Sequence, residues 1–79
     1  MEILLFGIVR EIVGKNKLAV PQDIGLKTVS ELKSWMAKQY PQIASLRSMA
    51  VAVDSVYAED DQELNADSEI ALIPPVSGG

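Results

Sequence analysis

The chain has 79 residues, carries a net charge of −4 and contains neither cysteine nor histidine. That length supports one domain, which buries only roughly 60% of the surface its unfolded chain exposes. The negative charge argues against a nucleic-acid partner, because phosphate binding relies on clustered Lys and Arg. Without Cys and His there are no disulfides, thiolate nucleophiles, usual zinc ligands or the side chain best suited to proton transfer near neutral pH, which leaves carboxylates, amines or the chain end for any chemistry; no metal and no bound cofactor are expected.

Residues 2–9 are rich in apolar and β-branched types and too short for a helix of their own, which predicts a strand. Alternation sends Ile3 and Leu5 to the core and Leu4 and Phe6 to the other face. That second face is either a mildly apolar sheet surface or a docking face for a partner. Gly14-Lys15-Asn16 predicts a turn and Lys17-Leu18-Ala19-Val20 a second strand closed by Pro21, together an N-terminal hairpin.

Thr28-Val29-Ser30-Glu31 matches the capping box, in which Thr28 accepts from the Glu31 backbone N–H and the Glu31 carboxylate reaches back. From there Val29, Leu32, Met36 and Tyr40 form an apolar stripe, with Trp35 on its flank and Lys33, Ser34 and Lys38 on the wet side. Tyr40-Pro41 ends the helix, because the residue before proline is pushed out of the α region. After a polar stretch containing Arg47, residues 49–54 alternate as a strand, Asp54-Ser55 turns, and Val56-Tyr57 is a short return. The acidic run 59–63 reads as a solvated loop, Leu64 tucks inward, Asn65-Ala66-Asp67-Ser68 turns again, and residues 69–73 form the last strand, halted by Pro74-Pro75.

This order predicts an α+β domain over residues 1–73, a single mixed sheet of about five strands with one main helix packed across it. It is the β-grasp, or ubiquitin-like, arrangement, in which the first and last strands lie side by side in the middle of the sheet. Residues 74–79 are then an extended tail ending in Gly78-Gly79. Glycine loses the most backbone freedom on ordering and adds no side-chain packing, so a glycine pair gains an ordinary fold little. A carboxylate that must slide down a narrow channel into another protein's active site does benefit, since a Cβ would widen the thread. Pro74 and Pro75 fix φ near −65° and donate no backbone hydrogen bond, which ends strand pairing and projects the tail.

Four segments carry a family resemblance: Phe6-Gly7-Ile8-Val9-Arg10-Glu11-Ile12-Val13-Gly14, Thr28-Val29-Ser30-Glu31-Leu32, Val51-Ala52-Val53-Asp54, and above all Ile70-Ala71-Leu72-Ile73-Pro74-Pro75-Val76-Ser77-Gly78-Gly79. The chain resembles, nearly end to end, the small subunits of molybdopterin synthase, which are ubiquitin-like sulfur carriers. Other ubiquitin-like carriers share the two glycines but usually not the proline pair. Asp54 stands where that family often has asparagine, and Asn65-Ala66-Asp67 replaces a commoner glycine-containing acidic turn.

The resemblance implies chemistry at Gly79. An adenylyltransferase of the ubiquitin-activating type uses ATP to turn the carboxylate into an acyl-adenylate, and a sulfur donor enzyme then yields a C-terminal thiocarboxylate. The tail, Pro74, Pro75, Val76, Ser77 and Gly78, inserts into the large synthase subunit, and the sulfur passes to the pterin precursor, precursor Z (cyclic pyranopterin monophosphate). Two small and two large subunits are implied. The physical logic stands beside this: a carboxylate is a poor electrophile until adenylation supplies a leaving group, and a thiocarboxylate is ionised at neutral pH, whereas a cysteine thiol of pKa about 8.5 is mostly protonated.

Val76 is the one sizeable side chain of the stalk and is expected to fill a partner pocket, whereas Ser77 is tolerated for its size. Leu4, Phe6 and Ile73 are the candidates for an apolar docking patch. Arg10 is either an interface residue or half of a surface ion pair with Glu11, worth about 0–1 kcal/mol. The acidic run offers a way to steer the chain toward a basic partner. Two other functions use the same residues: a protein modifier joined through Gly79 to a lysine amine, and a sulfur carrier for another pathway. A non-covalent interaction module would make the tail dispensable. No apolar run approaches the roughly 18 residues of a membrane span, and Glu2 stands where a signal peptide is basic. A cytoplasmic protein that contacts no membrane is therefore expected.

Overall fold

A computed structural model describes residues 1–46 and 49–74. In chain order these form β1 (Glu2–Leu5), α1 (Gly7–Val13), β2 (Lys17–Ala19), a 3-10 turn (Gln22–Ile24), α2 (Val29–Gln39), α3 (Pro41–Ala44), β3 (Ala50–Val53), β4 (Val56–Ala58) and β5 (Ile70–Ile73). The five strands make one mixed sheet in the order β2-β1-β5-β3-β4. β1 and β5 run parallel at its centre, and the other neighbours are antiparallel. This is the expected β-grasp arrangement, with α2 laid across one face.

Register explains the core. Ile3 faces Leu18 on one side and Ile70 on the other, and Leu72 lies between Leu5 and Val51. Because side chains alternate, all of these point to the same face, where Val29, Leu32 and Met36 of α2 complete the core with Val9 of α1 and Ile43 of α3. Burying one such branched side chain contributes about 1.5–3 kcal/mol. The opposite face carries the row Lys17, Leu4, Ala71, Ala52 and Tyr57, one residue from each strand. Its centre is small and buried at Ala71 and Ala52, while Tyr57 is 70% exposed.

Helix α2 begins as the capping box requires. The Glu31 N–H donates to Thr28 Oγ1 at 3.2 Å, while the Glu31 carboxylate reaches one residue further back than expected and accepts from the Lys27 N–H at 2.8 Å. The acidic run is more than a solvated loop. Its carbonyls at Gln62 and Asp60 accept from the Val29 and Ser30 N–H groups at 3.0 and 2.9 Å, so the donors that an isolated helix leaves unpaired are satisfied. Lys33, expected on the wet side, is only half-exposed and pairs with Asp60 at 2.8 Å. Leu64 tucks in as expected, held by its N–H to the Lys27 carbonyl at 2.7 Å.

Two expectations are corrected. The first strand does not run to residue 9: it stops at Leu5, and residues 7–13 are helical. Gly7 has φ +55°, a left-handed conformation that takes the backbone out of the sheet. Val9, Ile12 and Val13 then recur at helical spacing, with Val9 fully buried. Gly14, at φ 83°, ends the helix by donating its N–H to the Arg10 carbonyl at 2.8 Å, which is a left-handed C-terminal cap. β1 and β2 still pair, but through a helical connection instead of a tight hairpin. The second correction lies after α2, where the stretch read only as polar, with no element assigned to it, opens with α3. Pro41 ends one helix and begins the next, since the first helical position needs no N–H donor.

Candidate functional site

The predicted site gathers where β5 leaves the sheet. β5 is buried along three of its four residues and flanked on both sides by paired strands, so its end is held by hydrogen bonds from β1 and β3. Leu5 is level with Leu72 in the parallel pair, which sets Phe6 beside Ile73 and Gly7 beside Pro74 at the next two positions. An ideal Cβ built on Gly7 would lie 2.9 Å from Pro74 Cγ and 3.7 Å from its Cδ. The proline ring therefore rests directly on the glycine.

By register Phe6, Ile73 and Pro74 fall at this end, whereas Leu4, level with Ala71, lies further back and lines a recess with Lys17 and Ser68, so the structure does not bring it together with the other three. Leu4, Ile73 and Pro74 are half-buried. Phe6 is 46% exposed, and Ile8, two residues on and not among the predicted site residues, is 44% exposed. Phe6 holds an extended backbone as the residue before α1. Arg10 lies one helical turn further on, on α1 and exposed. Among the described residues Arg10 and Glu11 form no ion pair; side chains adjacent in a helix do not face each other. Pro75, Val76, Ser77, Gly78 and Gly79 lie outside the described residues.

The described residues hold no group of three or more Asp and Glu side chains placed to bind a metal. No helix among them is long and apolar enough to cross a membrane. The N-terminus of α2 is occupied by the protein's own carbonyls. The apolar recess lined by Met36, Ile43, Leu46 and Met49 takes in none of the predicted site residues. What the geometry offers is a rigid, centrally paired strand that delivers its last residue to an apolar, partly exposed corner. Gly7 belongs to that corner and was missed. The available signal was a glycine between an apolar strand and a run with helical spacing.

The ThiS family model matches residues 3–79, the tail included. The chain belongs to the ThiS family. Relatives within it include the molybdopterin synthase sulfur carrier subunit of Dictyostelium discoideum, 40% identical over 99% of this chain and 94% of that protein. The subunit of the same name in Escherichia coli is 33% identical, across 100% and 99% of the two chains. Among solved structures, SAMP1 from Haloferax volcanii superposes with a TM-score of 0.72 at 26% identity, covering 99% of this chain and 97% of that one. The ThiS family match and the β-grasp architecture thus agree.

Proposed function

We propose that this chain is the sulfur-carrier subunit of a molybdopterin synthase, acting through the carboxyl group of Gly79. The observation that carries the reading is its likeness, over nearly the whole length of both chains, to relatives named for that role. The placement of β5 supports it, because a strand held on both sides gives the stalk a firm base.

In the first step a Gly79 carboxylate oxygen attacks the α-phosphorus of ATP on an adenylyltransferase of the ubiquitin-activating type, and pyrophosphate leaves. Sulfide-level sulfur, delivered by a donor enzyme as hydrosulfide, then attacks the acyl carbon; AMP leaves with the C–O electron pair and the sulfur's proton passes to solvent, which gives the thiocarboxylate. The loaded tail, Pro74 to Gly78, enters the large synthase subunit, where the sulfur passes to precursor Z and hydrolysis returns Gly79 to a carboxylate. The chain itself contributes no catalytic side chain and binds no cofactor; ATP is consumed by the activating partner. Leu4, Phe6 and Ile73 form the docking patch, with Arg10 at its margin, and Val76 fills a pocket in the partner. The setting is the cytoplasm, and the synthase is a heterotetramer of two small and two large subunits.

Intact mass spectrometry of the protein from its native cell tests this. A mass gain matching replacement of one oxygen by sulfur at the C-terminus is expected. Deleting Gly79 abolishes that gain while leaving the folded domain intact. Ladders of conjugates through Gly79, without the sulfur form, would make the chain a protein modifier instead, and an unmodified protein whose function survives loss of the tail would sink both readings.

A further inference from the structure

The geometry points to Gly7 as a positioning residue for the tail: its bare α-carbon is the seat on which the Pro74 ring rests, and it sets the orientation from which the stalk departs. The inference rests on the carrier reading for its functional consequence, but the seat itself is a structural claim.

Three observations converge on it. Gly7 lies at φ +55°, where L side chains are strained. A Cβ there would come within 2.9 Å of Pro74 Cγ, closer than non-bonded carbons approach. The atom it meets belongs to a ring closed onto the backbone, which cannot swing away without moving the chain. The parallel register puts these two residues at equivalent steps beyond Leu5 and Leu72, so the contact is built into the centre of the sheet. Any side chain at position 7 must push Pro74 aside, and Pro74 is the last described residue before the reacting end. The other described glycines have no such duty: beside Gly14 and Gly25 a Cβ would meet nothing within 4 Å.

The test uses full-length protein and three substitutions. Gly7→Asn tolerates a left-handed backbone but adds a Cβ against the ring; Gly7→Ala adds only the Cβ; Gly7→Asn with Pro74→Ala removes the ring atoms the new side chain meets. In the unsubstituted protein a strong nuclear Overhauser contact is expected between the Gly7 α-protons and the Pro74 γ-protons. In ATP–pyrophosphate exchange with the activating enzyme of the same cell, Gly7→Asn should lower kcat by about tenfold or more, since misplacement of a reacting group by about 1 Å can cost up to 10²-fold. KM should stay within about twofold, because the docking patch is untouched. Gly7→Ala should show a smaller loss in the same direction, and Pro74→Ala should restore part of kcat in the Gly7→Asn background, a non-additivity that marks direct contact.

Absence of the Overhauser contact in the unsubstituted protein overturns the seat. So does a native kcat in both single variants, or a kcat loss that follows melting temperature and is not relieved by Pro74→Ala. If the unsubstituted protein supports no exchange at all, the carrier reading falls. The seat is then decided by the Overhauser contact alone.

Discussion

The two ends of β5 are held by different physics. At its start, Asp54 and Glu69 make a reciprocal pair: the Asp54 N–H donates to the Glu69 carbonyl, and the Glu69 N–H donates to Asp54 Oδ1, both at 2.8 Å. Just beyond its far end, where Ile73 still pairs with Ala50, Pro74 has no N–H to donate, and the described contact is a ring against a bare α-carbon. Hydrogen bonds at the first end fix register, which is a matter of stability. Steric contact at the second fixes direction, which matters only to whatever receives the tail. Substitutions at the two ends should therefore fail in different assays.

The largest effect is expected midway, where both ends depend on the same residue. Leu72→Ala leaves a cavity between Leu5, Val51 and α2 and should cost about 2–5 kcal/mol in urea unfolding. A cost below about 1 kcal/mol would mean that the strand is not the keystone its position suggests. Next comes Asp54→Ala, which removes the Glu69 acceptor and puts a poorly suited residue at φ 51°. It should cost about 1–3 kcal/mol by the same measurement, while tail loading in the surviving folded protein is unchanged. Asp54→Asn keeps the acceptor and tolerates the backbone, so it should be nearly neutral; a large cost there would mean that the charge, and not the geometry, holds the turn.

Thr28→Ala, away from both ends, should cost about 1 kcal/mol through loss of the cap on α2, and it serves as a calibration of a purely structural change. Phe6→Ala belongs to the far end. With the ring 46% exposed, its removal should move the unfolding free energy little, within about 0.5 kcal/mol, yet weaken binding to the large synthase subunit by more than about 1 kcal/mol in calorimetry. Unchanged binding would remove Phe6 from the docking patch. The smallest effect is expected for Lys33→Ala: the pair joins a half-exposed Lys33 to an exposed Asp60 and should contribute about 0–1 kcal/mol, falling as salt is added.

What the sequence made legible follows the same division. Thr28 and Glu31 carry their capping role in their side chains, and the stripe of Val29, Leu32 and Met36 carries its helical period, so α2 was readable. Asp54-Ser55 was readable as a turn because its neighbours alternate; the left-handed φ values of 51° and 70° agree with it. The N-terminus of α2 was only half readable, since the acceptors at Asp60 and Gln62 are backbone carbonyls that bear no mark of residue type. Residues 7–13 were misread because a short apolar run fits a strand as well as a helix, and Gly7, the break between them, counted as a member of the run. Pro41 was read for what it ends and not for what it begins. Of the candidate site, Leu4 and Phe6 were named by alternation and Ile73 by its place where the last strand meets the stalk. Gly7 escaped because its importance lies in an absent side chain and a partner 67 positions away, read from the numbering of Gly7 and Pro74.

The parallel pairing of β1 with β5 also bears on truncation. A chain that lacks residues from Ile70 onward loses the strand that joins the two halves of the sheet, and among the described residues the isolated bridge between Thr28 and Glu63 is the other backbone pairing between them. Without Ile70 and Leu72 the core also loses two of its fully buried side chains, so the domain's stability is tied to the segment that leads into the tail.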